Sequence, residues 1–247
     1  MGKQVSTLKM TGSFAGAVGY IDQQGRVQMR SKPEKITDAN TPKQQAVRTR
    51  FLAITSLAKA FKKTALGLSI VAKQNKITWR NQFIKTNYGA TDANIGTGAV
   101  SAETDFELLK VALGDNPEVS WGSPDFSNAQ AVKATFNKNT DLPGASEDDL
   151  VYLLVYNPDD NRTIISSPVR RAVDGGAISV TVPDSWNGET VHVWGFSQGF
   201  ANEQARTEYL SWFNQQRQAG FAEALTALDA NTTEFSNSHY LGHGSIN

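Results

Sequence analysis

The sequence predicts an α+β fold, and three observations carry that prediction. Residues 41–67, TPKQQAVRTRFLAITSLAKAFKKTALG, repeat apolar side chains at helical spacing. The stretch before them alternates around glycines as a β-hairpin does, and the chain beyond residue 104 breaks into short strand-like runs separated by turn clusters. With 247 residues, 39% of them hydrophobic, the chain can bury a substantial core.

Taken in order, residues 5–30 hold Val18 and Tyr20, then Asp22-Gln23-Gln24-Gly25, then Val27 and Met29, which predicts two strands joined by a turn. Gly12, Gly16 and Gly19 have neither the spacing nor the following Lys-Ser or Lys-Thr of a phosphate loop, so a bulge or a close backbone approach is their expected use. Pro33 makes residues 30–35 an extended basic connector. The helix over 41–67 starts at Thr41 as N-cap, with Pro42 in the first turn and Gln44 closing a capping box, and it is expected to stop at Gly67. Val47, Phe51, Ile54, Ala58, Phe61 and Ala65 form its apolar stripe.

A second, shorter helix is expected around Trp79 and Phe83. Together with Tyr88, and interleaved with Lys76, Arg80 and Lys85, these rings read either as core or as a stacking platform for single-stranded nucleic acid; helical spacing favours core. Residues 89–104, rich in Gly, Ala, Thr and Asn, read as a linker. Strands are expected at 108–113, 119–121, 131–136, 150–156, 163–169, 177–182 and 190–196, with a last one at 238–241. The run 150–156 is apolar on both faces and should be central, paired near 190–196. Seven short strands without a cysteine pair describe an immunoglobulin-like or fibronectin-like β-sandwich. A helical insertion at 203–228 interrupts it, and its Tyr209, Trp212 and Phe213 either cap the core or form a partner-binding patch. The expected domains are therefore a basic hairpin-helix region (1–88), a linker (89–104) and the sandwich (105–247).

The overall charge is zero, but its distribution is uneven. Residues 1–90 hold 16 Lys and Arg against 3 Asp and Glu, whereas residues 91–247 hold 8 against 21, so the two parts carry +13 and −13. Such a split suits a nucleic-acid face, or a basic part of one copy docking on the acidic part of the next. The absence of cysteine excludes disulfides and thiolate chemistry. No apolar run approaches a membrane span and MGKQVSTLKM has no apolar signal core, so an unexported chain without a membrane partner is expected.

Catalytic signatures are missing. His192, His239 and His243 are the histidines of the chain, and no third ligand at zinc spacing accompanies them. Glu147-Asp148-Asp149 and Asp159-Asp160 fall in turn-like stretches. Neither G-x-S-x-G nor H-E-x-x-H occurs. No enzyme activity, cofactor, metal or small-molecule substrate is expected.

The stretches GSFAGAVGYIDQQGRVQMRSKPEK and TPKQQAVRTRF, with the late pair VHVWGFS and SNSHYLG, resemble a group of proteins from Bacteroidetes and their phages, including crAss-like phages. In that group a basic hairpin and helix precede an Ig-like domain. The resemblance implies a virion structural protein, a neck or tail ring or capsid-associated subunit, assembled in the host cytoplasm with itself and other virion proteins. Arg26, Arg30, Lys32, Lys35, Arg48 and Arg50 are the residues expected at the contact, where the basic hairpin and helix of one copy reach the acidic sandwich of the next, an added strand being one way to do so. A nucleic-acid-binding module using the basic N-terminal region is the alternative, and an Ig-like surface adhesin is a further one.

Overall fold

The computed structural model describes residues 12–14, 16–21, 25–31, 40–94, 101–172, 176–218 and 233–246. They fall into two compact units, 1–41 and 42–247. In the first, β1 (Gly12–Phe14), β2 (Ala17–Ile21) and β3 (Val27–Ser31) form an antiparallel sheet in that order. Gly16, at φ +78°, makes the tight β1–β2 turn, and the register Ile21↔Val27 is that of the expected hairpin.

The second unit is built on β9 (Leu150–Asn157), LVYLLVYN, whose eight residues are all buried. Because side chains alternate across a strand, one apolar run serves two cores. Val151, Leu153 and Val155 face Val132, Ala134 and Phe136 of β8 (Ala131–Asn137) and Ile178 and Val180 of β12 (Gly176–Thr181). Leu150, Tyr152, Leu154 and Tyr156 face a layer of helices.

Three helices of that layer precede the sheets. They are α1 (Pro42–Phe61), α2 (Leu66–Gln74) and α3 (Trp79–Asn87), and they contribute Ile54, Leu57, Phe61, Leu66, Leu68, Ile70 and Phe83 to the shared core. Thr78 caps α3, its hydroxyl accepting from Asn81 N at 3.3 Å. The helix expected over 41–67 thus ends early. Phe61 O accepts from Thr64 N and Ala65 N, and the chain turns there so that Ala65, Leu66 and Leu68 are buried. Gly67 is not a stop but the second residue of α2. A Cβ on it would lie 2.8 Å from Ala112 Cβ and 2.9 Å from Ala112 Cα, so glycine is required by close packing.

Within the expected linker 89–104, β4 (Thr91–Asn94) and β5 (Ser101–Thr104) pair as an antiparallel hairpin that contacts α1, and residues 95–100 lie outside the described residues. The boundary between compact units lies at 41/42 rather than within 89–104. Residues 108–113, expected as a strand, are irregular because side chains satisfy their backbone. Asn87 donates to Lys110 O (2.9 Å) and accepts from Lys110 N (2.6 Å), and Ser238 Oγ accepts from Val111 N (3.0 Å).

One sheet consists of β6 (Ser120–Trp121), β7 (Asp125–Asn128), β8 and β12, in which β6, β7 and β12 all pair with β8. The other runs β10 (Arg162–Ile165), β9, β13 (Thr190–Phe200), β14 (Thr233–Phe235), with β11 (Val169–Arg170) on β9 and β15 (His239–Ser245) on β13. Val191 and Val193 of β13 point into the layer between the sheets, and Trp194 and Phe196 point to the helices. The expected helical insertion is α4 (Glu203–Gln218) where described; the rest of 203–228 lies outside the described residues.

The loops at one end of the sheets are gathered by Arg171, whose guanidinium is fully buried. It donates to the carbonyls of Pro117 (2.6 Å), Glu118 (2.9 Å), Asn139 (3.2 Å) and Lys138, and to Asp149 Oδ2 (3.2 Å). Burial pushes the Asp149 carboxyl upward, against the Ser146 N–H and the guanidinium that favour its charge.

Gly67→Ala separates two effects of opposite sign. Helix propensity alone would stabilise the fold by about 1 kcal/mol. The contact with Ala112 predicts instead a loss of about 1–3 kcal/mol in chemical denaturation.

Candidate functional site

Between Pro42 and Asn87 the chain carries ten Lys and Arg and no acid. All three helices of this stretch bury one side in the core, and every cation of the stretch except the half-buried Arg50 is exposed. The helical layer holds a groove of about 690 Å³ between α1 and α3. Leu52, Ala58 and Trp79 give it an apolar lining, and exposed Lys59, Lys62 and Arg80 stand around it. Val47, Phe51 and Leu52 of α1 are 59%, 46% and 69% exposed, so the N-terminal half of the expected apolar stripe is not in the core.

The predicted contact residues divide between the two units. Arg26 and Arg30 are exposed in the first unit, and Lys32 and Lys35 lie outside the described residues. Arg48 is exposed on α1. Arg50 is engaged within the chain: its guanidinium donates to Tyr88 O and stacks 3.9 Å from the centre of the Tyr88 ring. It pins α1 to the end of α3. Phe83 is buried, with the rings of Phe61 and Trp79 on either side of it, so it is core, while Trp79 and Tyr88 are half-buried against that core.

Tyr209, Trp212 and Phe213 also pack inward. Tyr209 and Phe213 are buried in the helix–sheet core, with Trp212 packed against it, and the Tyr209 hydroxyl lies 3.0 Å from that of Tyr152. They seat α4 on the sheet.

Acidic groups gather on and after the β4–β5 hairpin. Asp92 and Glu103 stand opposite each other across its ladder, an arrangement that costs stability unless a cation is near. Asp105 and Glu107 follow, both exposed, and the Asp105 carboxylate accepts from Glu107 N at 3.0 Å. Between them Phe106 turns inward and stacks on His192, ring centres 3.8 Å apart. Leu108 is left 57% exposed beside these acids.

Beneath Phe106 the fold makes a cluster that linear spacing does not reveal. The β13–β15 register sets His192 opposite His243, and the Tyr240 hydroxyl lies 2.9 Å from His192 Nδ1 and 3.2 Å from His243 Nδ1. The hydroxyl has one proton to give, so one of the two rings must supply an N–H. Burial, and then His243, push the His192 imidazole down to about 4. Burial, with Glu107 and Asp105 nearby, pushes the Tyr240 phenol up to about 12. Among the described residues no group of three or more His, Cys, Asp or Glu is placed to hold a metal ion.

A second groove, of about 870 Å³, lies between the outer edges of β10 and β12 and the C-terminal end of α1. Its lining includes Lys59, Lys63 and Arg162 beside Asp160. This lining disfavours a cationic hairpin as an added strand there. Among the described residues no helix is long and apolar enough to cross a membrane.

Residues 10–211 match DUF6266, a family of unknown function, and the chain belongs to that family. No curated protein and no solved structure matches it.

Because His192 titrates lower in the folded chain than its usual 6.5, the unfolded chain takes the proton first. The stability that depends on His192 is therefore full above about pH 6.5, is lost as the pH drops toward about 4, and loses nothing further below. His192→Phe should flatten that slope in urea unfolding followed across the same range; an unchanged slope would contradict the assignment.

Proposed function

We propose that this chain is a structural subunit that assembles with copies of itself, the basic helical face of one copy meeting acidic surface of the next. The observation that carries the reading is the separation of charge: ten cations without an acid over 42–87, against −13 over 91–247. Opposite patches on one chain favour head-to-tail association, which closes into rings or extends as filaments. The resemblance to proteins of Bacteroidetes and their phages supports a virion setting, as a neck or tail ring or capsid-associated subunit. The sheet pairings, β12–β8–β6 facing β10–β9–β13–β15, support an immunoglobulin-like reading of the sandwich. Such sandwiches are used as stackable modules.

The same cations support a second reading, a nucleic-acid-binding module, since a helical stretch that itself carries no carboxylate suits a phosphate backbone. Solution mass separates the two. Light scattering at about 0.05 M and about 1 M salt, with and without DNA, should show oligomers without DNA that dissociate at the higher salt. A monomer at both salts without DNA would overturn assembly, and a shift only on adding DNA would establish the second reading.

A further inference from the structure

We infer that the α1–α3 groove is the socket for the acidic turn after the β4–β5 hairpin of a second copy, with Leu108 as the inserted side chain. This inference rests on the assembly reading and names its contact. The groove combines an apolar lining of Leu52, Ala58 and Trp79 with a rim of Lys59, Lys62 and Arg80. Its complement is an exposed apolar side chain flanked by carboxylates.

Two large apolar side chains exposed in the acidic part of the chain are Leu108 and Leu142. Leu142 neighbours one acid, Asp141. Leu108 follows Asp105 and Glu107 and lies beyond a hairpin carrying Asp92 opposite Glu103. Its presentation is fixed from below, because Phe106 stacks on His192 and Leu109 is buried, which leaves Leu108 between two anchors. A pre-formed turn of this kind loses little conformational freedom on docking.

Among the described residues, none of β4, β5 or the turn after them lines the groove of its own chain, so plug and socket are separate surfaces. Each copy therefore offers one of each, and the contact is heterologous. Leu108 in the apolar lining would carry the affinity, and the carboxylates against the lysine and arginine rim would set orientation and salt sensitivity.

The test uses two variants of the full chain. Lys59→Glu with Lys62→Glu and Arg80→Glu blocks the socket; Glu107→Lys with Leu108→Ser blocks the plug. Each alone should weaken self-association at least about tenfold by analytical ultracentrifugation. Mixed in equal amounts they should form heterodimers and nothing larger, because each partner retains one working surface. Leu142→Ser should assemble as the unaltered chain does. Either blocked variant assembling normally, or a mixture that stays monomeric, would overturn this contact while leaving assembly by another surface in place. An unaltered chain that is itself monomeric would overturn the assembly reading as well, and is distinguished by that control. If circular dichroism shows that a multiple variant has lost its helices, Leu52→Ser and Leu108→Ser, both at exposed positions, repeat the mixing and decide between the same outcomes.

Discussion

The larger unit depends on burying β9 on both faces at once. An eight-residue strand with no exposed side chain cannot exist as the face of a two-sheet sandwich alone, since one side would lie open to water. The helices supply the missing cover: Phe61 meets Tyr156 and Trp194 with ring centres 5.0 and 5.7 Å apart, and Phe213 meets Tyr152 at 5.9 Å. Sheet and helices are therefore one folding unit. The basic face is the outer surface of a structural layer and not a detachable arm.

This arrangement explains how a helical stretch with ten cations and no acid holds together. Ion pairs at i, i+4 cannot form within it, and its like charges repel, so its stability must come from the apolar side that it packs on the sheet. Arg50 has a defined inward role, clamping the end of α3 through Tyr88. At one end of the sheets Arg171 plays a comparable part for loops, satisfying four carbonyls and Asp149 from a fully buried position. Removing one partner of so buried a pair typically costs 3–5 kcal/mol. The polar network thus fixes the loops that the apolar layers cannot.

Periodicity made much of the α+β architecture legible. The unbroken apolar run of β9 and the hairpin β2–β3 were readable because burial on two faces and a tight turn each leave a distinct local pattern. Features set by long-range contacts were not. Gly67 reads as a helix stop, yet it is glycine because Ala112, 45 positions later, crowds the place a Cβ would take. Residues 108–113 have strand composition, but Asn87 and Ser238 take their hydrogen bonds. The small and polar residues of 89–104 look like a linker because a short hairpin leaning on a helix needs few bulky side chains. The candidate surface was legible only as a charge imbalance. The groove around Leu52 and Trp79, the inward turn of Tyr209 and Phe213, and the meeting of His192 with His243 all follow from tertiary pairing that spacing along the chain does not encode.

The most direct test of this account is native-state hydrogen exchange, comparing amides of residues 54–61 on α1 with those of 150–157 on β9. If the helices are the indispensable cover of the central strand, both sets belong to the slowest class and open with the same free energy, that of global unfolding. Exchange of 54–61 through a much cheaper opening, with 150–157 still protected, would mean that the helical layer detaches while the sandwich stands, and would contradict the account.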